Sequence, residues 1–489
     1  MTALVAVLTL PLLTAMAALM TPASVRAPVA LGGVAATFVA ALWLGGAVWH
    51  GGPVVLALGG WQPPIGIVLR ADGLAAALIM MSALVIAAVA AAARYEMAPA
   101  VAGPRAHFGF WPLMLLLWAA LNAVFVSRDL FNLYVGLELL SLAAVALVAI
   151  SGRAKAIDSA IRYMLFALAG SLLYLAGVVL VYAAHGTLDI ALLGARNPAS
   201  VDALALALMT AGLMAKTALF PFHVWLPPAH AAAPAPASAL LSALVPKASF
   251  LILMRLWFEA MPDLAAPGAL LALAALGAIA VIWGGILALF QARLKLIVAY
   301  STVAQLGYLF LVFPLAGGDG INQPWAAGAW TGAIFQALSH GLAKAAMFLA
   351  AGIYIAAVGS DRLGDLRGLA RALPMTSFAF ALAAVTLLGL PPSGGFTAKY
   401  LLMTSAFASG QWVWAIVLAG GGLLAALYLY RPVAALFTRE IRVSPRAIPR
   451  AWQAIPLALA ALSILLGLLS AFPFDLLQIG RPEPAEDGL

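Results

Sequence analysis

Not one of the 489 residues is cysteine. That excludes thiolate-held iron–sulfur clusters, thiolate metal sites and disulfides from this chain, and it leaves the redox compartment unreadable. Charge is almost as scarce: Asp, Glu, Lys and Arg make up 9% of the residues, against about 25% in a soluble domain. Apolar runs recur from end to end instead. Each holds about 20 residues, long enough to cross about 30 Å of hydrocarbon as a helix. The short alternating segments of a β-barrel are missing. The expected class is an all-α polytopic membrane protein.

The runs resolve into about fourteen spans. Ser127-Arg128-Asp129 alone separates the fourth run from the fifth; fused, they would form a run of about 40 residues, too long for one crossing. Span seven is expected near 203–222, span eight near 236–258 and span twelve near 374–406. Basic loop residues gather after odd-numbered runs: Arg26, Arg94, Arg105, Arg153, Lys155, Arg293, Lys295, Arg362, Arg431 and Arg446 among them. Even-numbered loops and the tail hold only Arg70, Arg128, Arg196 and Arg481. This positive-inside asymmetry places the odd loops in the cytoplasm and both termini outside a bacterial inner membrane. The formal charge of +8 therefore speaks to topology and not to nucleic acid. Met1 to Met20 is apolar without a basic start, which reads as a retained first span.

Two regions interrupt the helical pattern: Phe220-Pro221 through Pro227-Pro228 to Pro236, and Gly389-Leu390-Pro391-Pro392-Ser393-Gly394-Gly395. Proline removes a backbone donor and glycine loosens a helix. Broken backbone at membrane depth is tolerated where it is buried in protein or lines a water-filled cavity. Paired interruptions in two halves of a transporter point to its transport path.

Five charged residues stand well inside spans: Glu138, Lys216, Lys247, Lys344 and Lys399. Unpaired, each would cost about 2.5–3.5 kcal/mol at a helix centre. The sum, on the order of 12–18 kcal/mol, rivals the net stability of a domain, about 5–15 kcal/mol. Such residues need partners, hydration or a function. Glu138 is the carboxylate facing four lysines, and Lys216, just before the first break, is its expected partner. Weakening that pair would let desolvation drive the proton off the lysine. His340 and Lys344 are four apart, hence on one helix face, and histidine can relay protons between lysines. Lys247 follows Pro246; Lys399 follows the second break.

One carboxylate among four lysines favours protons over sodium or calcium, which want several oxygen ligands. His223 and His230 straddle a proline-rich break, a poor spacing for zinc, and no dinucleotide or phosphate-loop motif stands in a strand–helix context. No metal and no cofactor is expected in this chain.

At these residues the chain resembles the antiporter-like subunits shared by respiratory complex I, membrane-bound hydrogenases and Mrp-type cation/proton antiporters. The matching segments are Asp129-Leu-Phe-Asn-Leu-Tyr-Val-Gly-Leu-Glu138, Lys216-Thr-Ala-Leu-Phe-Pro-Phe-His-Val-Trp-Leu-Pro227, His230 to Ser238 with Lys247, Leu338-Ser-His-Gly-Leu-Ala-Lys344, and Gly389-Leu-Pro-Pro-Ser-Gly-Gly-Phe-Thr-Ala-Lys399. Within the group, Gly59 to Asp72 looks like the early segment of the Mrp D-type subunit, and Lys399 stands where M-type complex I subunits usually carry glutamate. Val135-Gly136-Leu137 is smaller than the group's aromatic-rich version, and Pro228 replaces a usual acidic residue.

The resemblance implies two inverted five-helix repeats, each with a broken helix: residues 110–258 (spans four to eight) and 267–437 (spans nine to thirteen). Residues 1–109 would hold the first three spans, and 438–489 the last span with an external tail. It implies a proton path through Glu138, Lys216, Lys247, His340, Lys344 and Lys399. It also implies membership of a hetero-oligomer with subunits like Mrp A, B, C, E, F and G. The function expected is proton translocation in a sodium/proton antiporter. The alternatives are a pumping subunit of a complex I or hydrogenase relative and, in another class, a non-conducting structural subunit.

Overall fold

Among the described residues of the computed structural model, thirteen helices are long and apolar enough to cross a membrane. A further crossing, span 12, is made by two shorter helices, Pro374–Leu388 and Gly394–Ala408. Residues 1–318, 323–440 and 442–481 are described. The tail expected beyond span 14 lies, past residue 481, outside the described residues. The chain is an all-α polytopic membrane protein; among the described residues the one sheet is a small hairpin pairing Val54–Ala57 with Val68–Ala71. Sequence periodicity missed that hairpin because its strands are only four residues each.

Spans 4 and 6 begin well before their uninterrupted apolar runs, at Pro99 and Ala154, and span 7 departs most from expectation. That span does not end near residue 222. A first helix, Asp202–Thr217, stops where Ala218 takes the left-handed conformation (φ 59°). After a short irregular stretch a second helix, Leu226–Ala232, completes the crossing. Pro227 does not end this helix because it occupies its first turn, where the missing N–H would have been unpaired anyway. Span 8, Ala235–Ala260, carries a further break at Leu244, between helices Ala235–Ala243 and Val245–Arg255.

Two backbone bridges expose the internal repeat. Where span 5 (Leu130–Ala149) begins, Asp129 pairs antiparallel with Asp189, in the segment that follows span 6 (Ala154–His185). Where span 10 (Leu294–Ala316) begins, Arg293 pairs in the same way with Arg362, just after span 11 (Pro324–Val358). Spans 5 and 10 are five crossings apart, so the two bridges lie on opposite faces of the bundle. One half is the other turned upside down, and the broken spans 7 and 12 occupy corresponding places. Span 8 and the 35-residue span 11 form the centre, packed directly against each other.

An ion network ties the even-loop end of the first half. Arg255 of span 8 reaches Asp72 Oδ2 at 2.5 Å and also pairs with Glu259 one turn on. Arg128 holds the other oxygen of Glu259 at 2.5 Å. Asp72 meanwhile caps span 3 by accepting the Ala75 N–H at 2.9 Å. Arg255→Met is therefore expected to cost about 3–5 kcal/mol, because two enclosed carboxylates lose a counter-charge. Thermal unfolding of the detergent-extracted protein measures this; an unchanged midpoint would show the network to be decorative.

Candidate functional site

Glu138 stands mid-way along span 5, and Lys216 in the last turn of the first helix of span 7. A helix C-terminus favours a cation, since its free carbonyls carry the negative end of the dipole. Lys216 Nζ lies 3.2 Å from Glu138 Oε1 and donates to Ser141 Oγ at 2.8 Å. Ser171 of span 6 donates to the same Glu138 oxygen. Span 6 also packs closely on span 7, where Gly170 and Gly212 face each other backbone to backbone; a Cβ on either would collide with the other's carbonyl. A cavity of about 10 Å³ joins Ser141 and Lys216 to Val245 and Ser249 of span 8, about the room of one water molecule.

Lys247 is the next station. Pro246 cannot donate to the carbonyl four residues back, which is that of Ser242. Lys247 Nζ takes up this free carbonyl at 2.7 Å and donates to His340 Nδ1, also at 2.7 Å. His340 is thereby the acceptor at that nitrogen. One turn further along span 11, Lys344 donates to Val298 O at 3.0 Å and to Ser301 Oγ, both on span 10.

Lys399 repeats the device of Lys247. Pro391 and Pro392 leave the carbonyls of Leu387 and Leu388 without helical donors, and Lys399 Nζ donates to them at 3.1 and 2.9 Å. The ammonium also lies 4.8 Å from the centre of the Tyr308 ring, within cation–π range. A chain of amides leads back to the centre: Gln305 donates to Leu387 O at 3.0 Å and accepts from Gln336 at 2.9 Å. Gln336 is one turn before His340 on span 11.

The six residues singled out in the sequence thus form three groups: Glu138 with Lys216, Lys247 with His340 beside Lys344, and Lys399 apart. Sequence reasoning missed the connectors Ser141, Ser171, Gln305 and Gln336. Gln336 had a signal, being polar in an apolar run and four residues before His340. Lys295, counted above among the loop charges, is buried in the protein, as is Arg255 near the end of span 8.

A family profile described as "NADH:quinone oxidoreductase/Mrp antiporter, TM" matches residues 127–426. The chain belongs to this family. It is 37% identical over 405 residues to the N subunit of the NADH-quinone oxidoreductase of Desulforudis audaxviator, covering 81% of this chain and 77% of that protein. It is 29% identical over 428 residues to the D-type component of the Na(+)/H(+) antiporter of Bacillus subtilis, covering 86% and 83%. Among solved structures, a chain of the Mrp complex from Dietzia sp. superposes with a TM-score of 0.88 at 28% identity, covering 97% of this chain and 95% of that one. The protein is an antiporter-like subunit.

Proposed function

We propose that this chain translocates protons as the D-type subunit of a multisubunit sodium/proton antiporter. The observation that carries the reading is the row of buried titratable groups that runs across the bundle from one broken span to the other. Each lysine in it has hydrogen-bond acceptors that can hold its charged form, and Glu138 can compete for the charge of Lys216. A hetero-oligomeric setting is supported by Glu138 itself. Its side chain is 25% exposed at the edge of the molecule, among exposed Phe131, Val135 and Leu142. A carboxylate at that depth calls for a neighbour that covers it.

A second reading, the corresponding subunit of a complex I-type or hydrogenase-type assembly, is supported by the 37% identity to an oxidoreductase N subunit. One experiment separates them. The complex is isolated in mild detergent and its subunits identified by mass, and sodium-driven proton flux is measured after reconstitution. Small antiporter subunits with sodium-dependent flux support the first reading. Redox subunits without such flux replace it by the second. A structural subunit would keep wild-type flux when Lys344 is neutralised.

The proposed orientation puts the odd loops in the cytoplasm of a bacterial cell. Because the chain has no cysteine, Lys155→Cys introduces a single thiol in the first turn of span 6, at the odd-loop end. An impermeant maleimide should label it only after the cells are opened. Labelling in intact cells would reverse the topology.

A further inference from the structure

A cavity of about 530 Å³ lies at the odd-loop end of the bundle, and none of the six residues of the row lines it. Its walls are the last turn of span 11 (residues 355–358), Tyr95 at the end of span 3, and the loop that leads through Arg446 to Trp452. Trp452 stands in the first turn of span 14, Arg450–Leu468. The loop is moored at two points. The Arg446 N–H donates to Ala357 O at 2.9 Å, and the Gln453 carboxamide donates to Ile448 O at 3.2 Å.

Trp452 is the informative wall residue. It is 6% exposed, and its ring stacks on Tyr95 with centroids 5.0 Å apart and planes 5° from parallel. Yet its indole N–H is enclosed and meets no acceptor among the described residues, whereas a buried indole N–H usually has one. Two further donors stand at the same cavity. Span 14 starts on Pro449, a wall residue, with no side-chain cap, so the N–H groups of its first turn are open at the positive end of the helix dipole. Arg446 is exposed, and its guanidinium pairs with no carboxylate among the described residues. The stretch around it also holds Arg439, Arg442 and Arg450 against a single acid, Glu440. Guanidinium groups and helix N-termini are the usual protein ligands of phosphate. Donors from several elements suit the tetrahedral oxygens of a phosphate better than the flat pair of a carboxylate.

We propose that this cavity binds a phosphate ester with an apolar body, its phosphate held by Arg446, the Trp452 N–H and the start of span 14. The apolar body lies against the aliphatic end of span 11. Arginine-rich stretches beside a membrane span attract anionic lipid, and a phospholipid headgroup and a soluble organic phosphate share the chemistry the site selects. Bound there, the phosphate fastens the loop before span 14 across the end of span 11, the span that carries His340 and Lys344. The site is independent of what the row transports.

The test is calorimetric titration of the whole complex, purified in mild detergent and depleted of native lipid. The probes are dioctanoyl phosphatidylglycerol and glycerol 3-phosphate. Comparison with two variants separates this site from any on other subunits. Trp452→Phe keeps the stack on Tyr95 and deletes only the N–H; Arg446→Gln changes an exposed loop side chain and keeps its backbone bond to Ala357. Each is expected to weaken one saturable site by about tenfold or more, the scale of a hydrogen bond to a charged group. Binding of the lipid alone supports the site with a headgroup as its ligand, and equal binding of glycerol 3-phosphate supports it with a soluble phosphate. If neither probe binds, or both variants bind as the wild type does, the cavity holds only water and the proposal falls. Should Trp452→Phe lower the thermal midpoint of the complex, Arg446→Gln alone decides.

Discussion

Replacing Lys399 by arginine is expected to stop proton transport nearly as completely as replacing it by alanine. Arginine keeps the positive charge and can still reach the carbonyls of Leu387 and Leu388, so a purely structural cation would tolerate the change. A guanidinium, however, is effectively always protonated, whereas a buried lysine can give up its proton. If transport requires position 399 to alternate between charged and neutral forms, Lys399→Arg should lose about a hundredfold or more in flux, the scale of a positioned acid–base group. Lys399→Glu restores a titratable group and is expected to keep part of the activity. The measurement is cation-induced proton flux in vesicles holding the whole complex, with subunit levels matched. Flux near wild type from the arginine variant would show that only a charge is needed there.

The second large effect is expected at the other end of the row. Glu138→Gln preserves shape and the hydrogen bond from Ser171 but removes the negative charge that faces Lys216. Lys216→Ala removes the cation and leaves the carboxylate at membrane depth with Ser171 as its hydrogen-bond donor. Each should abolish flux, again by about a hundredfold or more, while the glutamine variant assembles normally. The comparison between them is informative, because Glu138→Gln leaves no enclosed charge without hydrogen bonds: Lys216 still has Ser141 at 2.8 Å. Retained transport in that variant would mean that the pair pins two helices and does not switch.

Much of this was legible in the residues. The spans followed from apolar length, and the crossing in two pieces at 374–408 followed from Pro391-Pro392 with its glycines. The stations of the row announced themselves because a charge inside an apolar run has no cheap explanation. Span 7 was misjudged because proline reads as a terminator, and sequence alone does not distinguish a terminator from the first turn of a new helix. The connectors were hidden for a different reason. Ser141, Ser171 and Gln305 are common enough in membrane helices that only three-dimensional proximity to Lys216 or Lys399 marks them. Lys295 looked like a topogenic loop charge, since it sits two residues from Arg293; what encloses it is span 7, sixty residues earlier. The quartet of Asp72, Arg128, Arg255 and Glu259 joins three separate stretches of chain, which no local pattern can announce.

Proline sets the chemistry of two lysines differently. A carbonyl oxygen freed by a missing N–H steadies an ammonium, yet it is far too weak a base to take the ammonium's proton. Lys399 has only such carbonyls and the face of a tyrosine ring around it, so its immediate shell holds the proton and offers nowhere for it to go. Lys247 has one such carbonyl and, at the same distance, an imidazole nitrogen that can receive. The two halves share a backbone plan turned upside down but not the same impedance. Between Lys247 and His340 a proton can hop within the protein's own side chains. At Lys399 it waits for a base to arrive from outside that shell, which makes this end of the row the natural point at which an external event could time its release.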